Sequence, residues 1–115
     1  MATKSENFLY GATLPTVEVD GGLTRKLMGY DGQLMLLEIA FKAGSVGYQH
    51  QHFHSQTSYV VSGVFEVTIN GVTKILKAGD GFYVEPDVLH GANCLEEGIL
   101  IDTFSPMRQD FLLKK

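Results

Sequence analysis

Apolar and polar residues alternate in short runs along much of the chain. In Phe65-Glu66-Val67-Thr68-Ile69 the apolar side chains fall on one face and the polar ones on the other, the period of a half-buried strand. Asn70-Gly71 follows at once and leads into VTKILK at 72–77, and Asn-Gly between two strand-like runs predicts a β-hairpin. QLMLLEIAF at 33–41 is almost continuously apolar, which predicts a strand buried on both faces. GFYVE at 81–85 and GILIDTF at 98–104 predict two more strands, and TVEV at 16–19 a further short one. No segment carries a long helical period. SPMRQDFLLKK, 105–115, reads as one turn or as a strand docked on a partner. With 13 glycines punctuating the runs, the pattern is that of a sandwich or barrel: one all-β domain, 1–115, without linker or repeat.

Composition narrows the partners. A chain of 115 residues is long enough for a real core. Its net charge of −4 excludes a nucleic-acid face, and its only basic cluster is Lys114-Lys115 at the end. No apolar run approaches the roughly 20 residues of a membrane span, and the first residues lack the apolar stretch of a secretory signal, so a cytoplasmic protein is expected. The single cysteine, Cys94, cannot form an internal disulfide and reads as a small buried residue.

Candidate chemistry is concentrated in GYQHQHFHSQ, 47–56. It holds three of the 4 histidines, and His50, His52, His54 and Gln56 stand at every second position. Alternate strand residues share a face with Cα atoms about 6.6 Å apart, so His50 and His52 can grip one cation. A surface strand with alternating polar residues explains the same pattern, and an isolated His-x-His does not decide between them. His90, the fourth histidine, lies far downstream. On the last predicted strand Leu100, Asp102 and Phe104 share a face, and a buried aspartate needs a cation or strong donor. Arg108 can fold back as that donor in a structural pair, or present its planar fork to a substrate carboxylate.

The spacing Gly44-x5-His50-x-His52-x3-Gln56-x6-Gly63 resembles the first motif of the cupin superfamily, with Gln56 where that family usually has glutamate. Gly79 and His90 keep the register of the second motif. Glu85, Pro86, Asp87 and Cys94 depart from it, at or beside the places of its proline, glycine and asparagine. The resemblance covers about 30–105. It implies a jelly-roll barrel (a double-stranded β-helix) in which His50, His52, Gln56 and His90 hold one divalent transition metal: Zn, Ni, Fe, Co or Mn. Four neutral donors would leave the full charge on the metal, which favours Lewis-acid chemistry over the two-histidine-one-carboxylate set of oxygen activation. Asp102, Phe104 and Arg108 match a D-x-F-x3-R arrangement in a small-cupin group that includes the pectin-degradation cupin acting on unsaturated uronates.

That likeness implies conversion of a 4,5-unsaturated monouronate, a small carboxylated sugar, into its linear keto form. Asp102 would be the acid/base, Arg108 the cation for the carboxylate, and Phe104 a substrate contact. His54 reads as a support behind the ligands or a substrate contact, against a surface role. Tyr48 reads as lining the cavity mouth or packing in the core. A metal-dependent dioxygenase and a non-catalytic sugar- or metal-binding module are the competing classes. A homodimer is expected, with exchange of the strand at 16–19 as one route.

Overall fold

The computed structural model describes residues 4–112. Eight strands follow one another before a single helical turn: β1 Val17–Val19, β2 Leu23–Asp31, β3 Leu34–Phe41, β4 Val46–His50, β5 Ser55–Ile69, β6 Val72–Lys77, β7 Gly81–Val84, β8 His90–Ser105 and α1 Gln109–Leu112. They pair antiparallel in the order β1-β2-β3-β8-β5-β6, with β4 also on β8 and β7 also on β5. β5 and β8 are the two long strands, 15 and 16 residues, and they run side by side along most of their length. Through β3 and β4, which occupy opposite halves of β8, they wrap the sheet around a common interior.

The hairpin at Asn70-Gly71 forms as the sequence predicts. Both residues have positive φ, 51° and 79°, which matches the twist of the flanking strands, and Ile69 faces Val72 across the turn. GILIDTF is only the second half of β8, whose first half begins at His90. β3 corrects the expectation of two buried faces. Met35, Leu37, Ile39 and Phe41 are buried while Leu36, Glu38 and Ala40 between them are half-exposed, because this antiparallel sheet is covered on one side.

The interior is arranged in rows set by strand register, since residues opposite each other on antiparallel strands point to the same face. One row is Met35, Phe104, Gln56 and Val84, the next Leu37, Asp102 and Ser58, and the third Arg25, Ile39, Leu100 and Val60. Phe41 and Phe65 close the lower core edge-to-face, with centroids 5.0 Å apart. Cys94 is buried there, and desolvation raises its thiol pKa, which leaves it unreactive. Both ends pack on their own chain, and the last segment takes the first of its two readings, a turn. β1 pairs with β2 of its own chain, Val17 opposite Arg25, so no exchange is needed to satisfy it. The segment after β8 is one helical turn that lays Phe111 against its own barrel, 5.7 Å from Phe104. Lys114 and Lys115 lie outside the described residues.

Candidate metal centre and cavity

His50 ends β4 and His90 begins β8, and the two are direct cross-strand partners. His52 follows on the link into β5, where Gln56 is the second residue. The three imidazoles converge, with ring centroids 4.4 to 5.4 Å apart and one ligand nitrogen from each within 4.8 Å of the others, so together they can hold a metal ion. The loop that delivers His90 is tied to this cluster by the Asp87 amide, which donates to the His52 carbonyl at 2.7 Å. Asp87 has φ 65°, a conformation that glycine adopts freely and aspartate tolerates, so the motif's glycine position is filled without losing its backbone.

Main-chain carbonyls fix the imidazoles. Each Nδ1 faces the carbonyl oxygen of a residue two positions away: His50 that of Tyr48 at 2.9 Å, His90 that of Val88 at 2.9 Å, and His52 that of His54 at 3.1 Å. A carbonyl only accepts, so every Nδ1 carries the proton and every Nε2 presents a lone pair. Gln56 Oε1 stands 3.1 Å from Nε2 of both His52 and His90. Acceptors that close together repel unless a cation lies among them, and this donor set therefore fits a metal. Burial lowers the pKa of His52, with Arg108 adding to the effect, and it lowers that of His90 to about 4, so both rings are neutral and ready to ligate near pH 7.

The amide of Gln56 is held in turn. Its Nε2 donates to Ser58 Oγ at 3.0 Å, and Ser58 donates its one proton to Asp102 Oδ1 at 2.6 Å. Turning the amide over would set its oxygen against a hydroxyl whose proton is already committed. Ser58 and Asp102 are cross-strand partners on β5 and β8, so an unbroken polar chain runs from the histidine cluster to Asp102. Desolvation raises the Asp102 pKa to about 6, against the opposing pull of the Ser58 hydrogen bond and of Arg108's charge.

One cavity of about 230 Å³ opens beside these groups. His50, Gln56 and His90 are in its wall with Asp102, Phe104 and Arg108. The volume is a little below the ~300 Å³ at which sites for drug-sized ligands begin, which suits a single sugar ring.

The structure thus brings together seven of the sequence-derived candidates, sets His54 behind them and leaves Tyr48 out. Tyr48 is exposed and lies outside this cavity. His54 is buried, with its ring edge-on to that of His52 at 5.4 Å and its carbonyl on the His52 Nδ1, so it supports a ligand from behind; its ring also lies 4.0 Å from that of Phe53 and borders a separate recess beside Met107 and Asp110. The pairing of Asp102 with Arg108 is also corrected. Arg108 grips Asp110 through Nε at 3.1 Å and Nη2 at 2.9 Å, and the donor to Asp102 is Ser58. Ser58 was missed because serine is unremarkable in a strand; its parity with Gln56 was the available signal. Arg25 and Phe111 of the cavity wall were missed as well, although an arginine between Leu23 and Leu27 on one strand face is as odd as Asp102 among its apolar neighbours.

With this geometry in place the likeness to known proteins can be read. Residues 37–101 match the Cupin domain family. The chain is a cupin. It is 44% identical over 100 residues to the pectin degradation protein KdgF of Dickeya dadantii (strain 3937), a match spanning 85% of this chain and 91% of that protein. An RmlC-like cupin from Shewanella frigidimarina NCIMB 400 superposes with a TM-score of 0.94 at 50% identity, covering 96% of this chain and 99% of the other. KdgF from Halomonas sp. superposes with a TM-score of 0.88 at 37% identity, covering 93% and 99%. The all-β, double-stranded β-helix architecture implied by the motifs is therefore that of this cupin too. No helix among the described residues is long and apolar enough to cross a membrane.

Proposed function

We propose that this cupin converts a 4,5-unsaturated monouronate into its linear keto form. The observation that carries the reading is the placement of Asp102. A carboxyl with its pKa raised to about 6 shares one small cavity with the histidine cluster and a guanidinium. Likeness to two KdgF proteins, one of them a pectin degradation protein, supports the same substrate class.

In the ring-closed substrate the ring oxygen is both the hemiacetal oxygen and the enol oxygen. Asp102 as carboxylate accepts the proton of the C1 hydroxyl. The bond from C1 to the ring oxygen breaks, C1 becomes the aldehyde, and the electron pair passes to the oxygen on C5. Asp102 then returns the proton to C4, giving the keto form, so the reaction is an isomerisation with no net gain or loss of atoms. A divalent cation bound by His50, His52, Gln56 and His90 would supply Lewis acidity toward that oxygen. Arg108 offers positive charge to the carboxylate, and Phe104, edge-on to His52 at 5.5 Å, walls the ring against the ligands. Neutral ligands favour this use of the metal over oxygen activation, whichever of Zn, Ni, Fe, Co or Mn is bound. A cytoplasmic location and a homodimer complete the reading. Exposed Tyr59, Val61 and Tyr83 on the outer face of β5 and β7 supply apolar surface for pairing.

The test is to incubate metal-loaded protein with unsaturated galacturonate and follow loss of the conjugated ultraviolet band. Decay well above the buffer rate, abolished in Asp102→Asn, is expected. Decay no faster than buffer, or an Asp102→Asn variant equal to the parent, overturns the reading.

A further inference from the structure

Arg25 is a buried cation to which nothing so far assigns a role. It sits on β2, the residue is 9% exposed, and its same-face neighbours across the sheet are Val17 and Ile39. Among the described residues no carboxylate forms an ion pair with it, and it makes no side-chain hydrogen bond. Its guanidinium carbon lies 4.1 Å from the centroid of the Phe111 ring, and that of Arg108 lies at the same distance from the same ring. The two carbons are therefore no further apart than twice that distance. Asp110, the acid whose charge acts on Arg25, is already gripped by Arg108.

Two guanidinium groups that share one carboxylate favour a further anion between them. Desolvation lowers the Arg25 pKa, and repulsion from Arg108 lowers it further. Among the described residues its donors meet no acceptor, and none of its nitrogens is an orphaned buried atom: the guanidinium rests on an aromatic face and borders the cavity, where its donors are available to a ligand. Arg25, Arg108 and Phe111 all border the same cavity as Asp102 and the histidine cluster. Arg108 has one side of its fork committed to Asp110, whereas the fork of Arg25 is free to take both oxygens of a planar anion.

We propose that Arg25 is the principal carboxylate receptor of the cavity, with Arg108 as its partner cation and Phe111 as the plate that holds both guanidinium groups, so that the site selects sugars bearing a carboxylate over neutral sugars. This deepens the uronate reading and rests on it for the identity of the sugar, but the receptor can be tested without turnover.

The probes are saturated galacturonate and galactose, titrated calorimetrically into metal-loaded protein. The parent should bind galacturonate at least about tenfold more tightly than galactose, the scale of one charge-assisted hydrogen-bond pair. Arg25→Met should lose that preference and Arg25→Lys should keep part of it, while elemental analysis shows metal content equal to the parent in both, which reports an intact fold. A parent that does not discriminate the two sugars overturns the proposal. So does an Arg25→Met protein that keeps the preference when Arg108→Met loses it. Loss of preference in Arg25→Met alongside a parent that turns over no unsaturated uronate leaves the receptor standing and removes the proposed reaction.

Discussion

At the scale of single residues, the chain from Gln56 through Ser58 to Asp102 makes two roles interdependent. Ser58 aims the Gln56 carbonyl at the histidines and stabilises ionised Asp102 by donating to it. Ser58→Ala should therefore loosen metal retention by about 10-fold or more, the usual effect of removing a group that orients a ligand; competition with a graded series of chelators measures it, and unchanged retention would show that the amide needs no holder. The same substitution removes an interaction that lowers the Asp102 pKa, so the acid limb of the rate profile should move to higher pH. In the parent, kcat/KM should rise with pH and level off above a midpoint at or below about 6, because Asp102 must be ionised to accept the first proton and a bound cation can only lower its pKa further. An acid limb that stays where it is in Ser58→Ala would remove Asp102 from the role of base.

At the scale of elements, the site depends on how β5 and β8 cross. Their ladder slips register between Val60 and Phe65, and at that corner Gly63 has φ 86°, with space so tight that an added Cβ would lie 2.6 Å from the Glu96 oxygen and the Gly98 Cα. Gly63→Ala should cost more than the ~1 kcal/mol of unfavourable backbone alone. Gly71→Ala, at φ 79° with nothing near the new methyl, gives that backbone cost by itself. Urea denaturation of the pair measures the difference, and equal destabilisation would mean the corner yields. Gly63 also closes the first motif, so its position in the sequence was informative before its reason was known. Elements with local causes were legible in the same way: the Asn70-Gly71 hairpin, the inward row of Phe65 and Val67, and the alternate His50 and His52. What could not be read depends on register between distant strands. Nothing local to Ser58 says that Asp102 lies opposite, nothing near Arg25 says that Phe111 returns to cover it, and the nearness of Arg108 to Asp102 in sequence suggested a pair that Asp110 pre-empts.

At the scale of the whole molecule, the metal ligands are spread over β4, the link after it, β5 and β8, so a bound cation staples the barrel's upper end. Folded His90, with its pKa near 4 instead of the ordinary 6.5, stays neutral where the unfolded chain would take up a proton, and its contribution to stability is complete above about pH 6.5 and lost as pH falls toward 4. Asp102 acts in the opposite sense. Its raised pKa means the folded protein holds a proton that the unfolded chain has shed, so its contribution falls as pH rises from about 4 to about 6. Above pH 7 both effects are level, and metal binding can be read alone. A ligand at a hundredfold over its dissociation constant adds about 2.7 kcal/mol to the stability of the folded state, roughly 10 °C in the Tm of a domain of about 100 residues. Chelator treatment at pH 7.5 should therefore lower Tm by about that much, and restoring a divalent cation should recover it. In His90→Ala, which lacks the donor that joins β8 to the other ligands, the treated and untreated proteins should melt much closer together. Calorimetry of the four samples decides the matter: a parent whose Tm ignores the chelator, after elemental analysis has shown the metal gone, would mean that the imidazoles meet without binding a cation tightly enough to stabilise the fold.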